Sequence, residues 1–291
     1  MIQGTIRRPD REPSPGDCAV EADLAFPEFQ AIASILQSDA RIALAPTKST
    51  LVHSRLSRRL RARGLNSFAD YVKLVRSDAE ERSAMVVSLT TNHTHFFRES
   101  HHFDHLSSSL VPALRSRDGP IRIWSAGCSS GEEAYSIAMC LHGPDRAGAA
   151  WLRKRDVRLL ATDLAPHAVK AARRGIYSEQ AVRPVPGPFR SAWLKSAGAD
   201  FEVDEELRKS VTARVLNLFG PWPMRHRYDA IFCRNVMIYF DDESKAELER
   251  RFADLLVPGG FLYIGHSERL IGEAARVLRP AGHTIYRKDR Q

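Results

Sequence analysis

The segment from Ile121 to Tyr135 holds the first residues whose types and spacing could do chemistry. An apolar run, Ile121-Arg122-Ile123-Trp124-Ser125-Ala126, leads into Gly127-Cys128-Ser129-Ser130-Gly131, and Glu132 and Glu133 then open a helical pattern. A glycine-rich turn lets a ligand approach the backbone, and the helix start beyond it favours polar groups. The spacing Gly127-x-x-x-Gly131 is not the dinucleotide fingerprint G-x-G-x-x-G. Two carboxylates at the helix start would repel a pyrophosphate. They suit a cationic or hydroxyl-bearing ligand, such as a nucleoside with a positive centre. A structural turn whose acidic residues answer the helix dipole is the alternative.

Three further segments carry polar groups where a ligand could meet them. Asp163 ends a second apolar run, Val157 to Ala161; there it can accept from ribose hydroxyls or cap the helix that follows. Thr90-Thr91-Asn92-His93-Thr94-His95-Phe96-Phe97-Arg98-Glu99 gathers hydrogen-bonding side chains beside two phenylalanines, as the lip of a site or as an anchored polar linker. Cys233-Arg234-Asn235-Val236-Met237-Ile238-Tyr239-Phe240-Asp241 follows a third apolar run, with Asn235 where the strand gives out and Tyr239 close behind. His93, His95, His101 and His102 have neither a cysteine nor paired carboxylates beside them at ligand spacing, so no metal site is expected.

These groups need elements to hold them. Alternating strands (121–126, 157–161, 228–233, 261–264) and helices (132–141, 166–174, from Asp241 or Asp242 to Leu256) predict a doubly wound parallel sheet, whose ligands gather at the carboxyl ends of the strands. Pro258-Gly259-Gly260 reads as a turn, and Thr284 to Arg287 as an added edge strand. Phe201-Glu202-Val203-Asp204 and Val211-Thr212-Ala213-Arg214-Val215 read as short inserted antiparallel strands, an insert placed at about 199–215, with a turn at Asp204-Glu205-Glu206. Before the sheet the pattern is helical. Val52, Leu56 and Leu60 share one stripe, Gly64 ends that helix, and Asn66 or Ser67 caps the next. Further helices start at Ser77-Asp78 and at Ser100. The expected organisation is a disordered tail over 1–25, a helical domain over 26–98 and an α/β domain over 99–291.

With 43% apolar and 27% charged residues, the 291-residue chain has ample core material. No run of about 18 apolar residues is present to cross a membrane, and with no apolar block behind Arg7 and Arg8 no signal peptide is expected. The four scattered cysteines, Cys18, Cys128, Cys140 and Cys233, make no C-x-x-C pair, which favours a reducing cytoplasm over a disulfide framework. Lys plus Arg number 43 against 35 Asp plus Glu, a net charge of +8. An anionic partner follows. Seven of the basic residues (Arg41, Lys48, Arg55, Arg58, Arg59, Arg61 and Arg63) lie between 41 and 63, where no acidic residue occurs.

Taken together, the segments Thr90 to Glu99, Trp124 to Ile137, Ala161 to Leu164, Leu216-Asn217-Leu218, Phe232 to Asp241 and Gly265-His266-Ser267-Glu268 resemble the chemotaxis receptor methyltransferases (CheR). The resemblance covers roughly Phe26 to Lys288. Ala134 departs from it, since the family often has proline after the paired Glu. The resemblance implies an S-adenosylmethionine-dependent methyltransferase fold with a small N-terminal all-helical domain and an inserted antiparallel β subdomain. It implies methyl transfer from S-adenosylmethionine to glutamate carboxylates on the cytoplasmic helices of chemoreceptors. Position by position, Asn92, Thr94, Arg98, Glu133, Asp163, Asn217, Leu218, Asn235 and Val236 would contact the cofactor, and Arg98 and Tyr239 would lie near the transferred methyl.

A glutamate nucleophile is already ionised at neutral pH, so neither base nor metal is required. The basic helix would steer the glutamate-rich receptor surface through Arg55, Arg58, Arg59 and Arg61. A nucleic-acid substrate is disfavoured: amino-methylating enzymes of that class commonly carry an Asn/Asp-Pro-Pro-aromatic motif where this chain has Arg234-Asn235-Val236-Met237. A cytoplasmic monomer is expected. Some family members grip a receptor tail peptide on the inserted strands. The short acidic turn expected at 204–206 has no glycine, so this protein is expected not to need that tether.

Overall fold

The computed structural model describes residues 23–289. The expected tail over 1–25 lies outside the described residues up to position 22. By packing, the described residues form two compact units: 23–32 with 46–85, and 33–45 with 86–289. The lip segment from Thr90 to Arg98, assigned to the helical domain from its pattern, packs with the sheet.

The helical unit is built on Ser49–Ala62, Phe68–Ser77 and the first part of Ala79–Leu89. Val52, Leu56 and Leu60 are buried at their expected intervals. Gly64 takes a positive φ of 65°, and Ser67 caps the next helix by accepting from Asp70 N–H. Asp78 accepts from the amides of Glu80 and Glu81 and starts the third.

Among the described residues the larger unit contains ten strands: β1 Ile121–Ala126, β2 Val157–Asp163, β3 Ile176–Ser178, β4 Leu194–Ala197, β5 Asp200–Val203, β6 Val211–Val215, β7 Tyr228–Cys233, β8 Leu256–Ile264, β9 Leu278–Gly282 and β10 Ile285–Lys288. Seven form one sheet in the order β6-β2-β1-β7-β8-β10-β9, parallel from β6 to β8 and antiparallel beyond. The chain runs outward from β1 on one side through β2 and β6, then returns to lay β7 on the other. The crevice outside the carboxyl ends of β1 and β7 is therefore the switch point at which open sheets of this kind bind ligands. Strands β1 and β7 are buried along nearly their whole length, as helix-covered parallel strands must be.

Three local expectations need correction. Val211–Val215 is not an antiparallel insert: it pairs in parallel with β2 and forms the edge of the main sheet. An edge strand with only Ala213 buried alternates as a hairpin strand does, so the pattern misled. The antiparallel insert is a separate sheet, β3-β5-β4. The expected turn at Asp204-Glu205-Glu206 is the start of a helix, Glu205–Ser210, whose N-cap Asp204 accepts from Glu206 N–H at 2.9 Å. The true hairpin joins β4 to β5 through Gly198 and Ala199. Residues 285–288 do not form the edge either, because β9 pairs outside them. Pro280 and Gly282 hid that strand.

Candidate functional site

One pocket lies over the carboxyl ends of β1, β2 and β7. All ten residues expected to bind cofactor or lie at the methyl line it: Asn92, Thr94, Arg98, Glu133, Asp163, Asn217, Leu218, Asn235, Val236 and Tyr239. Its floor is the turn after β1. The amides of Gly127 and Cys128 both donate to Thr162 O at 2.8 Å, which ties this turn to the end of β2. Ser129, at φ 49°, points its amide at Asp163 Oδ2, 2.8 Å away. Gly127 has φ 87°, and a Cβ there would overlap Cγ2 of Val236. Only glycine lets the turn after β1 meet the loop after β7 this closely.

The two acidic residues of the turn differ in role. Glu133 lines the pocket; Oε1 accepts from Ser125 Oγ at 2.7 Å and Oε2 from Arg234 at 3.1 Å. Glu132 is also buried, but its carboxylate accepts from Ser130 and does not line the pocket. Burial raises the pKa of Glu133, against the pull of Arg234. Asp163 has no cation bonded to it among the described residues. Its Oδ1 accepts from Ala165 N–H at 2.9 Å and lies 3.5 Å from Asn92 Nδ2. Burial raises its pKa while the Ala165 and Ser129 amides lower it. The helix-capping role and the ligand-facing position weighed as alternatives thus coexist in one carboxylate, which has lone pairs for both.

The lip is anchored from below. Phe96 is buried edge-on against Tyr177, and Phe97 packs on Phe103 and Phe189. Arg98 remains half-buried, its guanidinium donating to His93 O at 3.2 Å. The opposite wall comes from the segments around Ala40 and Asn217. Asn217 donates to Asp39 O at 2.6 Å and accepts from Phe219 N–H, and the amide of Ala43 donates to Tyr239 O. The hydroxyls of Thr94 and Tyr239 have no hydrogen-bond partner among the described residues.

Sequence reasoning gave no role to Arg234, Glu99 or Glu268, although all three stand in its motifs. Arg234 is buried between Glu99 and Glu133. Glu268, also buried, accepts from the amides of Gly265, Asn235 and Ile238 at 2.5, 3.0 and 3.1 Å and thereby shapes the loop after β7. Asn235 in that loop has φ 58°. The signal available in the sequence was the charge itself, since Glu268 and Arg234 sit beside strands that are otherwise apolar.

In the helical unit the four candidate receptor-binding arginines divide. Arg58 and Arg61 are exposed and Arg55 is half-buried. Arg59 turns to Glu81, fully buried, which also accepts from Tyr71 at 2.8 Å and from Arg63 at 2.5 Å. Among the described residues no three His, Cys, Asp or Glu are grouped to hold a metal ion, and no helix is long and apolar enough to cross a membrane.

Comparison with known proteins agrees with this geometry. Residues 92–286 match the family model of the CheR methyltransferase SAM-binding domain, and residues 27–90 that of the CheR methyltransferase all-alpha domain. The chain is 43% identical over 264 residues to a "Probable chemotaxis protein methyltransferase" of Rhizobium etli, covering 87% of this chain and 96% of the relative. It is 38% identical to chemotaxis protein methyltransferase 2 of Pseudomonas aeruginosa, covering 96% and 99%. Against the chemotaxis protein methyltransferase of Escherichia coli it is 38% identical, covering 90% and 91%.

Proposed function

We propose that this chain, which belongs to the CheR methyltransferase family, esterifies glutamate side chains on the cytoplasmic helices of chemoreceptors with the methyl group of S-adenosylmethionine. The observation that carries the reading is the convergence of ten residues from five separated segments on one pocket at the sheet's switch point. The residues suit the cofactor. Glycine at 127 lets the Val236 wall close onto the floor, and Glu133 and Asp163 give the pocket two carboxylates toward a ligand that carries hydroxyls and a positive sulfur. Bound S-adenosylmethionine supplies a methyl group on a sulfonium, ready for transfer to an anion.

The chain's own work is binding and alignment. Asp163 accepts from the ribose hydroxyls while holding the Ser129 and Ala165 amides. Asn92 and Thr94 close the lip, and Asn217, Leu218, Asn235 and Val236 form the remaining walls. Arg98 presents its fork of donors to the substrate carboxylate. Its contact must be loose, because a tightly held carboxylate is a poorer nucleophile. Tyr239, which also lines the pocket, adds a hydroxyl with no hydrogen-bond partner among the described residues. No residue need remove a proton, because a glutamate of pKa about 4.3 is ionised at neutral pH. Alignment alone is worth about 7–11 kcal/mol in well-oriented systems. Charge is annihilated in the transition state, so a pocket that excludes water favours the step.

Receptor capture falls to the exposed Arg58 and Arg61, with Arg55. The chain acts as a cytoplasmic monomer, without nucleic acid and without a receptor-tail tether. Residues 204–206 begin a helix, so no acidic hairpin turn stands there to repel a receptor tail. The β4–β5 hairpin carries Gly198, so the absence of glycine gives no support either; what supports the reading is that this loop is only two residues long. The test of the function is mass spectrometry of receptor incubated with the chain and cofactor, read for methyl esters on glutamate.

A further inference from the structure

We infer that Glu99 is a positioning residue of methyl transfer, acting on Arg98 through Arg234; the inference rests on the function proposed above. Arg98 stands between two residues in left-handed backbone, Phe97 at φ 54° and Glu99 at φ 57°. Side chains with a Cβ adopt that region at a cost, and such conformations persist only where the surroundings over-determine them. Here they do. The Phe97 amide donates to Ser136 Oγ at 3.0 Å, and its ring is wedged between Phe103 and Phe189.

Glu99 is held by hydrogen bonds through one oxygen and faces Arg234 with the other. Its Oε1 accepts from His266 Nδ1 at 2.9 Å and from Asn235 Nδ2 at 3.3 Å, and its Oε2 lies 3.3 Å from Arg234 Nη2. That same Arg234 nitrogen donates to the Arg98 carbonyl, and Nη1 pairs with Glu133. Glu99 itself does not line the pocket. Its carboxylate instead keeps the second nitrogen of Arg234 beside the Arg98 carbonyl while the first stays on Glu133. With the far end of Arg98 tied to His93 O, both the backbone and the guanidinium of Arg98 are fixed. Without the Glu99 charge, Nη2 loses its ionic partner, and Arg234, anchored by Nη1 on Glu133 alone, can turn from the Arg98 carbonyl and release it. A guanidinium displaced by about 1 Å loses much of an alignment effect.

The test uses the full chain, purified receptor and S-adenosylmethionine. Glu99→Gln should lower kcat at least about tenfold, with receptor KM and affinity for the demethylated product S-adenosylhomocysteine within about threefold. In an Arg98→Ala background the same change should cost less than about twofold, because nothing remains to be positioned. Equal losses in both backgrounds, or an unchanged kcat, would overturn the proposal. Glu99→Gly keeps the test open if the Gln variant does not fold: glycine accepts φ 57° freely, so the turn survives and only the carboxylate is lost. It should show the same coupling to Arg98, and full activity would contradict the role. Hydrogen exchange of the amides of residues 97–100 gives a readout independent of turnover. Glu99→Gln should speed it at least about tenfold, and unchanged protection overturns the proposal even if the wild-type chain proves inactive on receptors. Such inactivity would count against the proposed function alone.

Discussion

The Cα of Gly127 faces Val236 so closely that a single added carbon would overlap its Cγ2. The contact joins the turn after β1 to the loop after β7 across the switch point, so the pocket floor depends on an absent side chain. Gly127→Ala adds strain at φ 87°, at about 1–3 kcal/mol, and overpacking of similar size. The expected loss of stability is about 2–5 kcal/mol by urea titration, with S-adenosylhomocysteine binding at least about tenfold weaker. In Gly127→Ala/Val236→Ala the overlap goes but the strain stays, so stability should return only in part. Full recovery would show that the backbone angle contributes nothing.

Asp163→Ala should do two things. It removes the acceptors of the Ser129 and Ala165 amides, at about 1–3 kcal/mol of stability for a buried donor left unpaired. It also removes the ribose acceptors, so calorimetry should show S-adenosylmethionine and S-adenosylhomocysteine binding at least several-fold weaker. Unchanged affinity at reduced stability would leave Asp163 as a cap alone.

Acid should act through Glu99. Burial by itself would raise its pKa, but Arg234, His266 and Asn235 hold it at about 2, against an ordinary value of 4.5. The folded value is the lower one. Its stabilisation is therefore present above pH 4.5 and is lost as pH falls toward 2, and it amounts to about 3 kcal/mol. Urea unfolding of wild type and Glu99→Gln at several pH values should show their stability difference shrinking by roughly that amount across the window. A constant difference would mean that the carboxylate is not held ionised by its neighbours.

The arginines of the basic helix should separate by function. Arg58→Glu/Arg61→Glu should raise receptor KM about tenfold at low salt and flatten the salt dependence, since exposed charges are screened over about 10 Å at 0.1 M. Affinity for S-adenosylhomocysteine should not move. Arg59→Ala should instead lower stability by about 1–3 kcal/mol, because the Glu81 it pairs with is fully buried. Truncating the receptor tail should leave methylation intact; micromolar binding of a tail peptide would contradict the untethered route.

Much of this was legible in the chain. Val52, Leu56 and Leu60 announce their helix by spacing, and the apolar runs at 121–126 and 228–233 can be little but buried parallel strands. Glu133, Asp163, Asn235 and Tyr239 stand at or just past the ends of strands, where a ligand site is expected, whereas Asn92, Thr94, Arg98, Asn217, Leu218 and Val236 are assigned through the family resemblance. What stayed hidden was set by tertiary contact. The edge strand at 211–215 alternates like a hairpin strand because only one face of an edge is covered. Pro280 and Gly282 disguise the outermost strand. Arg234, Glu99 and Glu268 acquire their roles only when distant segments meet, so their charges could be seen but their partners could not.

The central claim is tested most directly by incubating receptor with the purified chain and S-adenosylmethionine labelled in its methyl group, then locating the label by mass spectrometry. The account predicts label on glutamates of the cytoplasmic helices, released as methanol by mild base, and strongly reduced with Arg98→Ala. Label in base-stable linkage, on residues other than glutamate or on nucleic acid in preference to receptor, would contradict it.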